Sequence, residues 1–153
     1  MPAVIISVKA LIVQSNQVLC IKTNHHNQIV YSLPGGKQKP SETLAESLSR
    51  ECLEEIGTPI CVEDVFMMYD FMKTKKHSKK NSKHMLEVIF KCKISPNYTV
   101  RNGFLPDKNQ LGVEWLNLNE LHKYRFNPKR HGQMLQHDLE QNHIYCCLST
   151  LPK

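Results

Sequence analysis

The stretch from Leu33 to Gly57 constrains the fold more than any other part of the chain. Before it, apolar residues come in short, partly alternating runs rich in Val and Ile. Leu33-Pro34-Gly35-Gly36 breaks that pattern, and between Thr43 and Ile56 the period becomes helical, with Leu44, Ala45, Leu48, Cys52 and Ile56 on one side. Thr43 followed by Glu46 fits a capping box, Gly57 fits a left-handed C-cap, and Pro59 blocks continuation. With strands dominant elsewhere and a second helix of useful length further on, this pattern predicts an α+β fold.

The rest of the chain reads mostly as strands. Residues 3–22 read as a hairpin about Ser15-Asn16, with strands over 3–13 and 18–21. Further strands are expected at 29–33, 60–72, 84–95, 112–116 and 144–148, a helical turn at 118–121 and a second helix over 129–139. The 153 residues predict one domain, 1–153, with a core that needs no staple. The six cysteines form no CxxC pair and sit mostly in apolar runs, so they read as small buried hydrophobes in a reducing compartment. No run of about 18 apolar residues is present, so no membrane partner is expected. The opening residues read as a strand, without the basic and apolar regions of a leader, and the expected location is cytoplasmic.

The net charge of +6 is local. Residues 73–83 hold six lysines and no acid, and the remainder balances at 14 basic against 14 acidic residues. Between two apolar runs, this segment reads as a long, solvated hairpin loop; its functional reading is an electrostatic guide for a phosphate-rich ligand. Without interleaved aromatics it does not predict a stable nucleic-acid complex.

Arg50-Glu51-Cys52-Leu53-Glu54-Glu55 carries the chemistry. Glu51, Glu54 and Glu55 stand at i, i+3 and i+4, so their carboxylates share a helix face. They repel one another and lie in the C-terminal half, where the macrodipole disfavours anions. A bound divalent cation would relieve both penalties, and oxygen-only ligands suit Mg²⁺ or Mn²⁺.

The string from Gly36 to Thr58 resembles the Nudix box, GX5EX7REUXEEXGU, of the Nudix hydrolase family. Gly36, Glu42, Arg50, Glu51, Glu54, Glu55 and Gly57 match its seven fixed positions at the family's spacing; Cys52 and Thr58 replace the usual bulky aliphatics. Leu33-Pro34-Gly35-Gly36 resembles the LPGG that often enters the box. Val113-Glu114-Trp115-Leu116 resembles a strand found in many members.

The resemblance implies a mixed β-sheet sandwiched between α-helices and a Mg²⁺-dependent hydrolase of nucleoside diphosphates linked to a group X. Glu51, Glu54, Glu55 and the Gly36 carbonyl would hold the metal, with Mn²⁺ a substitute. Arg50 would orient Glu51, and Glu42 would tie the loop to the helix. Glu54 is assigned as general base, with Asp107 second. Tyr31, Phe71, Asp107 and Gln110 are assigned to the substrate, and Phe104 is read as a loop anchor packed on the core. The expected substrate is a free nucleotide, a triphosphate ahead of a nucleotide sugar such as ADP-ribose. The competing reading is a non-catalytic Nudix-like module that senses a nucleotide. A homodimer is a further expectation from the resemblance.

Overall fold

The structure, a computed structural model, describes residues 3–75, 78–140 and 142–148. Strands β1 (Ile5–Leu11), β5 (Gly35–Lys37), β6 (Cys61–Lys75), β7 (Ser78–Lys93) and β9 (Tyr145–Leu148) form one sheet in the order β5-β1-β7-β6-β9. The β1/β7 and β6/β9 pairs are parallel; the others are antiparallel. Strands β2 (Val13–Gln14), β3 (Gln17–His25), β4 (Gln28–Ser32) and β8 (Gln110–Asn117) form a second, antiparallel sheet centred on β3. Two α-helices, α1 (Leu44–Ile56) and α2 (Lys129–His137), and a 3-10 helix, Leu118–Lys123, complete the described elements.

Strand alternation sends side chains to opposite faces, and each face meets a different helix. Val8, Ala10, Ile12, Val88, Phe90 and Cys92 pack with Leu48, Cys52 and Ile56 of α1. Leu11, Met67, Tyr69, Phe71 and Ile89 pack with Met134 and Leu135 of α2. The strands therefore form the middle layer of an α+β sandwich, as expected.

Helix α1 begins and ends as its sequence predicts. The Thr43 hydroxyl accepts from the Glu46 N–H at 3.1 Å, and the Glu46 carboxylate accepts from the Thr43 N–H at 2.7 Å. Gly57 takes φ 69°, ψ 29°, a left-handed conformation that costs glycine little. Replacing Thr43 by alanine should lower stability by about 1 kcal/mol, or the melting temperature by about 2–4 °C. An unchanged thermal melt would remove the cap from the account of α1.

Three expectations are corrected. The hairpin over 3–22 is split: β1 pairs with β5 and β7, and only the segment from Ile12 onward bonds to β3, through the two-residue turn Ser15-Asn16. Ile12 is fully buried, so the chain keeps Val8, Ala10 and Ile12 on the α1 side while it changes sheets. The Pro34-Gly35-Gly36 break lies at the start of a strand, β5, with Gly35 and Gly36 paired to Lys9 and Val8. The lysine segment 73–83 is not one long loop. Strand β6 runs to Lys75 and β7 starts at Ser78, with Lys73 paired to Lys83; residues 76–77 lie outside the described residues. Cross-strand pairing carried outward from the apolar part of the hairpin overrides the weak strand preference of Lys and Ser.

Candidate active site

Arg50 organises the acidic face of α1. Its Nε donates to Glu42 Oε1 at 2.5 Å and one terminal nitrogen donates to Glu42 Oε2 at 3.1 Å, a two-pronged contact that pins the loop before the helix. The other terminal nitrogen donates to Glu51 Oε1 at 2.9 Å and Glu54 Oε2 at 3.4 Å. The hydrogen bonds from Arg50 hold the Glu42 carboxyl down at about 2, and the guanidinium in turn is held firmly protonated by Glu42 and Glu51. One guanidinium thus contacts three carboxylates and eases the repulsion between Glu51 and Glu54, two of the three acids expected on this helix face.

Glu55 is treated differently. It is only 2% exposed and accepts the Gly35 N–H at 3.2 Å. Among the described residues it has no ion pair. Burial pushes its carboxyl up to about 9; Lys9 opposes the shift, and Asp107 and Glu51 add to it. Gly36 lies against Glu51 so closely that a Cβ there would come within 2.5 Å of the carboxylate and would have to displace it.

A cleft of about 770 Å³ opens beside these groups. Gly35 to Lys39, Glu51 and Asp107 line it together with Ser7, Lys9, Phe71, Lys73, Met85, Glu87, Asn127, Pro128 and Arg130. Its cations, Lys9, Lys37, Lys39, Lys73 and Arg130, outnumber its acids, Glu51, Glu87 and Asp107. The balance suits a polyanion held next to a carboxylate-rich edge.

The structure brings Gly36, Glu51, Phe71 and Asp107 to this cleft. Glu54 leans onto Arg50 and Glu55 onto Gly35; neither forms part of the lining. Tyr31 and Gln110, expected to touch substrate, do not line it either. The Tyr31 hydroxyl donates to Glu114 Oε2 at 3.0 Å and its ring packs edge-on against Tyr124. The Gln110 amide is engaged by the end of α1. Phe104, read as a core anchor, is 78% exposed.

Other cleft residues carry no motif. Glu87 accepts from Arg130 at 3.1 Å and from His131 Nε2 at 2.6 Å, and the Arg130 guanidinium lies over the rings of Phe71 and Tyr69. His131 is fully buried, and burial lowers its pKa; burial also works against the Glu87 carboxylate, which is held down at about 2 first by its hydrogen bond from His131 and then by the charges of Arg130 and Lys9. One signal in the sequence marks this group: a carboxylate inside the apolar run 85–90.

Among the described residues, no three His, Cys, Asp or Glu side chains are drawn about one point that would hold a metal ion. The donors nearest the cleft are nonetheless all oxygen, and buried Glu55 crowds Glu51 without a cation of its own. That chemistry fits a hard divalent ion.

A model of a protein family, described as NUDIX domain, matches residues 4–137. Among solved structures, a MutT mutator protein from Bacillus halodurans is 17% identical with a TM-score of 0.70, covering 97% of this chain and 91% of its own. A NUDIX hydrolase from Nitrosomonas europaea is 20% identical with a TM-score of 0.64, covering 94% and 98%. An ADP-ribose pyrophosphatase from Streptococcus suis is 18% identical with a TM-score of 0.62, covering 94% and 98%. At these identities the likeness speaks to the fold. No curated protein matches the sequence.

Proposed function

The chain belongs to the Nudix hydrolase family, and we propose that it cleaves the pyrophosphate bond of a nucleoside diphosphate linked to another group, with Mg²⁺ as cofactor and Mn²⁺ as substitute. The observation that carries this reading is the Arg50 hub, which gathers Glu42, Glu51 and Glu54, with Glu51 lining a cation-rich cleft. The intact set of acids supports an enzyme over a nucleotide sensor. Members of the family use divalent metal cations. Here Glu51, Glu54, Glu55 and the Gly36 carbonyl would hold the ion. When bound, it supplies charge neutralisation of the diphosphate and an acidified water.

The remaining work falls to the chain. Arg50 fixes the carboxylates of Glu51 and Glu54, so little reorganisation is needed when substrate arrives. Glu54 takes the proton of the attacking water, with Asp107 the second choice. Lys9, Lys37, Lys39, Lys73 and Arg130 attract and hold the phosphates, and Phe71 walls the group X. Nucleoside triphosphates are the first candidates, and nucleotide sugars such as ADP-ribose the second. No helix is long and apolar enough to cross a membrane. The six free cysteines support a reducing, cytoplasmic setting.

A panel of nucleoside triphosphates and nucleotide sugars, assayed for product with Mg²⁺ and with EDTA, tests the reading. Cleavage is expected with Mg²⁺ and none with EDTA. Tight binding without turnover of any nucleotide would favour the sensor. Cleavage confined to dinucleoside polyphosphates or 5′-triphosphorylated RNA would overturn the substrate class.

A further inference from the structure

Gln110 stands where the connection after β7 enters β8, and its side chain is divided among three partners. Its amide nitrogen donates to the Glu55 carbonyl at 2.8 Å and to Asn102 Oδ1 at 2.9 Å. Its amide oxygen accepts the Asp107 N–H at 3.2 Å, and its own N–H donates to the Asp107 carbonyl at 2.9 Å. Both N–H bonds and the carbonyl of a primary amide are thereby used. Two backbone donors of the same connection reach the same helix end: Gly103 N–H to the Glu55 carbonyl and Leu105 N–H to the Glu54 carbonyl, each at 3.0 Å. These carbonyls belong to the last turn of α1, which has no donors of its own to satisfy them. The approach is close, since a Cβ on Gly103 would lie 2.3 Å from the Glu54 carbonyl oxygen. Asp107, framed by these contacts, lines the cleft that Glu51 also lines.

We propose that Gln110 is a positioning residue whose side-chain amide ties the backbone of Asp107 to the end of α1 and so holds the Asp107 carboxylate in the cleft. The inference deepens the function proposed above and rests on it for its kinetic readout. Glutamine is required rather than glutamate: a carboxylate only accepts, and would set oxygen against the Glu55 carbonyl and Asn102 Oδ1. Gln110→Glu, nearly the same size, should therefore impair the enzyme at least as much as Gln110→Ala.

The test is a double-mutant cycle of Asp107→Asn with Gln110→Ala, read as kcat/KM with Mg²⁺ and the best nucleotide. Each single variant should lose about tenfold, in the range seen when supporting partners of a metal site are removed, and the double variant should be no worse than the poorer single one. A merely structural role for Gln110 would lower the melting temperature and leave the full effect of Asp107→Asn in place. Multiplying effects, or an Asp107→Asn variant with normal turnover, would overturn the proposal. Should Gln110→Ala fail to fold, Asn102→Ala removes one support of the amide and should couple to Asp107 in the same sense. Amide hydrogen exchange over residues 103–109 should quicken in the Gln110 variants; unchanged exchange counts against the proposal. If the parent protein cleaves no nucleotide, the functional reading fails, and the exchange measurement decides this inference by itself.

Discussion

Glu54→Gln and Glu55→Gln are each expected to keep the fold and to lose about 10²-fold or more in kcat/KM, since under the proposed function they would remove metal ligands rather than the outer partners whose loss already costs 10–100-fold. The Glu55 variant carries a second signature, in stability. A carboxyl pushed up to about 9 in the fold, against an ordinary value near 4.5, binds its proton more tightly when folded. Metal-free protein should then lose stability as pH rises from about 4.5 to about 9, because the folded form must give up a proton that the unfolded chain has already lost. In Glu55→Gln that slope should flatten, and at pH 8 the metal-free variant should melt above the parent. Thermal melts across this pH range, with and without Mg²⁺, check both points. Near-normal turnover in both variants would sink the metal assignment, and a parent melt independent of pH would show that Glu55 ionises normally.

Arg50→Met should be the second severe change. It removes the one group that contacts Glu42, Glu51 and Glu54 and leaves three acids facing one another. A fully buried pair broken on one side costs about 3–5 kcal/mol; water reaches this cluster, so a loss of about 1–2 kcal/mol is expected. Turnover should fall more than tenfold, because Glu51 and Glu54 lose the donor that orients them. Arg50→Lys should recover part of the stability and little of the turnover, since an ammonium keeps the charge without the planar fork. Equal kcat/KM in Arg50→Lys and the parent would show that charge alone suffices.

The parts that the sequence made legible are those fixed by local spacing. Helix α1 was readable because its apolar period, its Thr43–Glu46 box and its Gly57 stop all lie within one continuous stretch. The Arg50 contacts follow from the same stretch: Glu42 lies eight residues away and Glu54 four. Long-range pairing was not legible. Nothing near Ile12 announces that the chain changes sheets there, because a buried strand end looks the same in either sheet. The partnership of Glu87 with His131 joins residues 44 apart in sequence. The facing of Tyr31 and Gln110 depended on partners, Glu114 and the Glu55 carbonyl, that no periodicity identifies.

The layer of strands between the helices has a consequence for how such a protein can change over evolutionary time. Leu48, Cys52 and Ile56 of α1 pack on one face, and Met134 and Leu135 of α2 on the other. Residues that share no partners contribute almost independently, so the effects of substitutions in the two clusters sum rather than compound. Phe71 and Arg130 of the cleft wall belong with the α2 face, whereas the Arg50 hub belongs to α1. Substitutions that repack the α2 side around Phe71 should therefore add to, rather than compound, substitutions under α1, so the two sides of the sheet can drift as separate traits.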